Sequence, residues 1–199
     1  MTYVAIEREY GSGGTKIARE LARRCRIPCY GEEILELAAQ KLDLTPEKIR
    51  ECEEGTTNSL LYSIYMLGQM TSKDPDMLAD EGKVFVEEQR AIQELARRGD
   101  AVFVGHCACE ALKHEQQVIR VYIHADKEVK RARIREEYGI AEQEIDAMER
   151  RMNRRRANYY HANTQKKWGN LKNYDLILDS SRLGVEGCAA VLEGLFHRK

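Results

Sequence analysis

The sequence predicts an α/β fold built on a parallel sheet, and three observations carry that expectation. Short apolar runs alternate with segments of helical spacing through most of the 199 residues. The first run leads straight into a glycine cluster, and the cluster opens onto a helix. The length suits one domain with a substantial core, without repeats or low-complexity tracts.

In chain order, the best strands are Tyr3 to Ile6, Ala101 to Val104, Val118 to Ile123 and Leu176 to Leu178, with a shorter candidate at Ile27 to Tyr30. Each is rich in apolar or β-branched residues and too short for a buried helix. Helices are expected near 14–25, 32–41, 83–98, 107–113, 127–138, 141–163 and 184–196. Asp126 suits an N-cap for the helix from Lys127, and Thr45-Pro46 suits a helix start. Two regions break the alternation. Residues 43–82 hold no clear strand and contain Gly55-Thr56-Thr57-Asn58 and Ser72-Lys73-Asp74-Pro75-Asp76, which points to a helical insertion. Residues 139–172 carry a long polar helix and then Trp168-Gly169-Asn170. Ligands of open parallel sheets bind beyond the carboxyl ends of the strands, so both excursions are candidates to close over substrates.

Glu9-Tyr10-Gly11-Ser12-Gly13-Gly14-Thr15-Lys16-Ile17 is the most informative stretch. Glycines reach backbone angles that let N–H groups converge on phosphate oxygens, and a helix N-terminus adds partial positive charge there. The stretch departs from G-x-x-x-x-G-K-[ST]. If Gly14 takes the second glycine position, Thr15 stands where lysine belongs and Glu9 replaces the first glycine. Lys16 then comes one residue late, turned by roughly 100 degrees around the helix. The bland alternative is a glycine-rich turn without a ligand.

Charged residues make up 33% of the chain and the net charge is −1, which argues against a nucleic-acid protein held by bulk charge. No apolar run approaches the ~20 residues of a membrane span, and the first residues lack a signal-peptide pattern. Cys25, Cys29, Cys52, Cys107, Cys109 and Cys188 show no paired C-x-x-C spacing and read as reduced thiols of a cytoplasmic protein, mostly small core residues.

Arg150, Arg151, Arg154, Arg155 and Arg156 crowd a turn and a half of expected helix. Like charges at i, i+4 cost helix stability unless anions or carboxylates compensate. The planar guanidinium fork suits a transferring phosphoryl group, whereas Glu142, Glu144 and Glu149 offer the alternative of a solvated, self-paired helix. Asn158-Tyr159-Tyr160-His161 and Trp168-Gly169 could face a base or fasten a lid to the body. His106, Glu32 and Glu33 fall just after expected strands, at the edge where ligands bind. One of the two glutamates has the alternative role of a helix N-terminal charge.

The order of these motifs resembles the cytidylate kinase-like family, a branch of the P-loop nucleoside monophosphate kinases. Arg8-Glu9-Tyr10-Gly11-Ser12-Gly13-Gly14, Ile27-Pro28-Cys29-Tyr30 and Val104-Gly105-His106-Cys107-Ala108 carry the likeness. Arg120-Val121-Tyr122-Ile123-His124-Ala125, Arg156-Ala157-Asn158-Tyr159-Tyr160, Trp168-Gly169 and Asn173-Tyr174-Asp175-Leu176-Ile177-Leu178-Asp179-Ser180-Ser181 continue it over nearly the whole chain. The resemblance implies a single domain with a five-stranded parallel core, an acceptor-binding insertion and an arginine-bearing lid. It implies phosphoryl transfer from ATP with Mg2+ to a nucleoside monophosphate, CMP or dCMP foremost. Three positions depart from the pattern of true cytidylate kinases: Thr15 for the loop lysine, His106 for an acceptor-phosphate arginine, and Gly31 for an aspartate after the second strand.

On this reading the donor phosphates sit on the N–H groups of Gly11, Ser12, Gly13, Gly14, Thr15, Lys16 and Ile17, with Lys16 as substitute cation. Arg151, Arg154 and Arg156 come down on the transferring group. The acceptor lies between the 43–82 insertion, Glu32, Glu33 and His106. A nucleotide-binding regulatory protein without turnover, or a kinase for another small acceptor, are the alternatives that the three departures leave open.

Overall fold

The computed structural model describes residues 1–55 and 80–197. Five parallel strands form one sheet: β1 (Tyr3–Arg8), β2 (Cys29–Tyr30), β3 (Ala101–Val104), β4 (Val118–His124) and β5 (Leu176–Asp179), in the order β2-β3-β1-β4-β5. The helices are α1 (Gly14–Cys25), α2 (Glu32–Leu42), α3 (Pro46–Gly55), α4 (Asp80–Ala96), the short α5 (Ala108–Ala111), α6 (Lys127–Tyr138), α7 (Ile145–Thr164) and α8 (Ser180–Phe196).

The central strand β1 is apolar without a break because both sheet faces are covered. Val4 and Ile6 point to one side, where Ile17 and Leu21 of α1 and Leu192 and Phe196 of α8 pack on them. Tyr3 and Ala5 point to the other, against Ile92 and Leu95 of α4 and Phe103 of β3. Ile6 is 1% exposed, and truncating such a residue to alanine costs about 2–5 kcal/mol. Val4 lies opposite Val102 on β3 and Ile119 on β4, so β1 is held in register from both sides.

Several boundaries shift for physical reasons. Only Cys29 and Tyr30 of the 27–30 candidate join the sheet: the Ile27 N–H closes the end of α1 on the Ala22 carbonyl at 3.0 Å, and Pro28 has no N–H. Arg26, with φ 56, ends α1 in the left-handed region. Gly184, with φ 68, breaks α8, so its regular part begins near the residue expected from sequence. Thr45 Oγ1 accepts from the Lys48 N–H at 3.2 Å and caps α3. Asp126 occupies the N-cap position of α6 without a side-chain cap bond. All six cysteines are free thiols. Residues 56–79 of the expected insertion, including the Ser72–Asp76 turn, lie outside the described residues. Among the described residues no helix is long and apolar enough to cross a membrane.

Candidate active site

The carboxyl ends of β1 and β3 lie side by side, with Ile6 opposite Val104. The chain leaves β1 toward β2 on one side and leaves β3 toward β4 on the other, so the crevice where open parallel sheets bind ligands falls between these two strands. A cavity of about 160 Å³ opens there, lined by Glu7 and Arg8 of β1, Gly105, His106 and Cys107 after β3, and Met152, Arg155, Arg156, Tyr159 and Tyr160 of α7.

The glycine loop runs from Glu9 to Gly13. Gly11 and Gly13 have φ 76 and 75, which only glycine adopts without strain. A Cβ on Gly11 would also lie 2.9 Å from Ile134. The Ser12 carbonyl is held from behind by Ser180 Oγ at 2.6 Å and Arg133 Nη1 at 2.8 Å, and the Tyr10 N–H donates to Asn153 Oδ1 at 2.7 Å. Gly13 is the N-cap of α1, and the first intrahelical bond runs from the Ile17 N–H to the Gly13 carbonyl at 3.0 Å. The N–H groups of Gly14, Thr15 and Lys16 therefore precede that bond and have no partner within the helix, at the end whose partial charge favours anions. Ile17 is fully buried in the core beneath them.

This geometry corrects the register expected from sequence. With Gly13 closing the loop, the seven positions of G-x-x-x-x-G-K span residues 8 to 14. Arg8 takes the first glycine position, Gly14 the lysine position and Thr15 the hydroxyl position. Lys16 Nζ pairs with Glu137 of α6 at 2.7 Å, with its side chain 54% exposed.

The cavity lining carries one carboxylate, Glu7, against three guanidinium groups, Arg8, Arg155 and Arg156. Arg156 Nη1 donates to the Arg8 carbonyl at 2.8 Å, and its guanidinium lies 5.7 Å from the centre of the Tyr10 ring. Burial and the neighbouring Arg8 push its pKa down to about 9, against opposing contributions from Glu7, Tyr138 and Tyr10. Glu7 is buried, accepts from Trp168 Nε1 at 3.2 Å, and has its pKa raised by that burial, while Arg8, Trp168, Arg156 and His106 work the other way. Trp168 thus fastens the 139–172 segment to β1, and its ring packs edge-on against Tyr122.

Beneath the cavity, His106 Nδ1 lies 3.5 Å from Glu88 of α4, whose side chain is completely buried. Tyr159 donates a short hydrogen bond to the same carboxylate, and Gln89 Nε2 holds the His106 carbonyl at 2.9 Å. His106 itself has φ 52, a strained angle for a side chain of its size, fixed here by these neighbours.

The arginine run divides by helical angle. Arg155 and Arg156 reach the cavity, whereas Arg151 and Arg154 lie on the exposed face. Two of the three carboxylates that could have paired the run are engaged on α6: Glu149 with Lys130 at 2.7 Å, and Glu142 with Arg131. Lys130 also meets Glu9 at 2.8 Å and so ties the loop to α7. Burial alone would lower its pKa, but the hydrogen bonds it donates to Glu149 and Glu9 hold it above the ordinary value.

At the start of α2, Glu33 accepts from the Gly31 N–H at 3.0 Å and Glu32 pairs with Arg50 at 3.5 Å. Neither lines the cavity. Glu7, Arg8, Glu88 and Arg155 were not singled out as site residues from sequence. The signal for Arg8 was present in its spacing, six residues before Gly14.

Residues 3–182 match the family described as the cytidylate kinase-like family. The chain is 30% identical over 198 residues to a cytidylate kinase of Pyrobaculum neutrophilum, covering 96% of this chain and 90% of the relative. Among solved structures it is similar to an uncharacterized protein from Eubacterium ventriosum, with a TM-score of 0.72, 23% identity and 100% of both chains covered. It is also similar to shikimate kinase from Bacteroides thetaiotaomicron, with a TM-score of 0.53 and 14% identity over 98% of this chain and 97% of that one. The five-stranded parallel sheet with flanking helices is the P-loop kinase fold.

Proposed function

We infer the function from the premise that this chain belongs to the cytidylate kinase-like family. On that footing it is a phosphotransferase that uses ATP and acts on CMP or dCMP. The observation that supports this reading most is the juxtaposition of the glycine loop with an arginine-lined cavity at the carboxyl ends of β1 and β3. The first-turn N–H groups would take the donor phosphates, and Arg156 would lie over the group in transfer. An acceptor phosphate oxygen attacks the terminal phosphorus of ATP as the bond to the bridging oxygen breaks, giving ADP and a nucleoside diphosphate. Such transfer needs positioning and charge stabilisation and no covalent nucleophile.

His106, Glu32 and Glu33 are assigned to the acceptor side, where β2 and β3 end together. Arg151 and Arg154 are assigned to the closed state, in which α7 moves down over the cavity. Among the described residues no cluster of three or more acidic, histidine or cysteine side chains could cage a metal. Mg2+ is usually held by substrate phosphates and one or two protein oxygens, and we assign the Thr15 hydroxyl, at the serine/threonine position of the motif, as one of them. The ion would neutralise charge on the phosphates.

The test is transfer of labelled phosphate from γ-labelled ATP to a panel of nucleoside monophosphates by the full chain with Mg2+. Labelled CDP or dCDP, formed in step with ADP and in preference to other products, is the expected result. Triphosphate binding without any labelled diphosphate would select the regulatory reading instead.

A further inference from the structure

We propose that the phosphate-binding loop carries its cation at the opposite end from the standard arrangement, with Arg8 taking the part that lysine plays at the position of Gly14. In G-x-x-x-x-G-K-[ST] the first position is glycine and the seventh is a long cation that reaches the β- and γ-phosphates. Residues 8 and 14 are the first and seventh positions here, and their residue types are exchanged.

The geometry shows why they exchange as a pair. A Cβ built on Gly14 would lie 2.4 Å from Arg8 Cβ and 2.8 Å from Arg8 Cγ. The two positions face each other across the loop so closely that only one can carry a side chain. A second glycine clears the other end of the same path: a Cβ on Gly105, which has φ 77, would lie 2.3 Å from Arg8 Nη1. The Arg8 side chain therefore occupies a slot between two glycines, running from the first residue of α1 to the cavity lined by His106 and Arg156. Its backbone is fixed by β1 pairing with β4 and by the Arg156 bond to its carbonyl.

An arginine delivered from the strand places a forked donor on the phosphates where a lysine would place a point charge. This assignment rests on the phosphotransferase reading and identifies which residue of that site meets the triphosphate. It also explains how a loop without the usual lysine can hold a triphosphate while Lys16 stays on Glu137.

The experiment is calorimetric titration of the full chain with AMP, ADP and a non-hydrolysable ATP analogue, each with Mg2+. Variants are Arg8→Met, which keeps the stem, Arg8→Gly, Gly14→Lys, and the double variant Arg8→Gly/Gly14→Lys. The double variant rebuilds the complete signature Gly-Glu-Tyr-Gly-Ser-Gly-Lys-Thr over residues 8–15. Arg8→Met and Arg8→Gly should weaken the triphosphate analogue by about 10- to 100-fold and AMP by much less. Gly14→Lys alone should unfold at lower temperature because its stem meets Arg8. The double variant should regain both thermal stability and triphosphate affinity, a positive coupling that a merely structural Arg8 would not give. Equal weakening of all three nucleotides in folded Arg8→Met, or triphosphate affinity equal to the parent's, overturns the assignment while leaving the phosphotransferase reading intact. A parent chain that binds no triphosphate overturns both.

Discussion

Arg8 at the end of β1 and Lys16 in the first turn of α1 flank the same glycine loop, and they are held in opposite ways. Arg8 sits on a strand paired on both sides, threads between Gly14 and Gly105, and ends at the cavity. Lys16 sits on a helix surface, more than half exposed, and its ammonium is taken by Glu137. A residue at a strand end inherits its direction from the sheet, so the site it serves is set by the core. A residue on a helix turns by roughly 100 degrees per position, and a displacement of two residues from the seventh position of the motif carries its charge away from the loop. α7 repeats the lesson, since Arg156 is directed at the strand ends while Arg151 and Arg154 face outward.

The sharpest break of this contrast is at α7. Arg156→Ala should lower turnover by about 10³-fold or more, because guanidinium groups on the transferring phosphoryl contribute about 10³ to 10⁵ in rate. Arg151→Ala and Arg154→Ala should each cost far less, and steady-state kcat values for the three variants measure the difference. Equal losses would mean that closure brings the outward arginines in as fully as Arg156.

Next in size is the packing at residue 14. Gly14→Ala places a methyl group 2.4 Å from Arg8 Cβ, which should destabilise the fold by about 1–3 kcal/mol in denaturant titration. Thr15→Ala, one residue along, should lie within about 0.5 kcal/mol of the parent.

The buried carboxylate beside Arg8 supplies a pH-dependent test. Burial raises the Glu7 pKa above its ordinary value near 4.5, so the folded state favours the protonated form. Stability from that preference is fully present below pH 4.5 and is lost as pH rises through the folded value. Glu7→Gln keeps an acceptor for Trp168 and escapes this loss. Its advantage in melting temperature over the parent should therefore grow as pH rises above about 4.5 and then level off. An advantage that shrinks with rising pH would show that the arginines around Glu7 outweigh its burial.

The smallest effect belongs to Lys16. An exposed ion pair is worth less than about 1 kcal/mol, so Lys16→Ala should barely move stability. It should also change affinity for a triphosphate analogue by less than about 3-fold. A loss as large as that of Arg8→Met would return Lys16 to the phosphates.

Much of the fold was legible because the parallel sheet is buried on both faces. Val4 and Ile6 serve one layer while Tyr3 and Ala5 serve the other, so β1 reads as an unbroken apolar run. The glycine loop was legible for a similarly local reason, since strand, glycines and helix follow in sequence. Its register was not. Gly13 and Gly14 both satisfy the pattern, and only the start of α1 at Gly14 shows which one closes the loop. Glu88 was hidden within a helix whose face depends on tertiary packing, yet it lies under His106 and Tyr159 with no exposed surface. The sorting of the arginines on α7 depends on how that helix crosses the strand ends, which spacing within the helix does not encode. At Gly31 a Cβ would come no closer than 3.8 Å to Val104, so packing does not demand that glycine.

The central claim is that phosphoryl transfer occurs at the strand-end cavity beside Arg8 and Arg156. The most direct measurement is single-turnover formation of labelled CDP from γ-labelled ATP and CMP by the parent and by Arg156→Met, with both proteins saturated in both nucleotides. The account predicts ready formation of CDP by the parent and a rate about 10³-fold lower in the variant, because saturation removes binding from the comparison. Equal rates in the two proteins would place the chemistry elsewhere and contradict it.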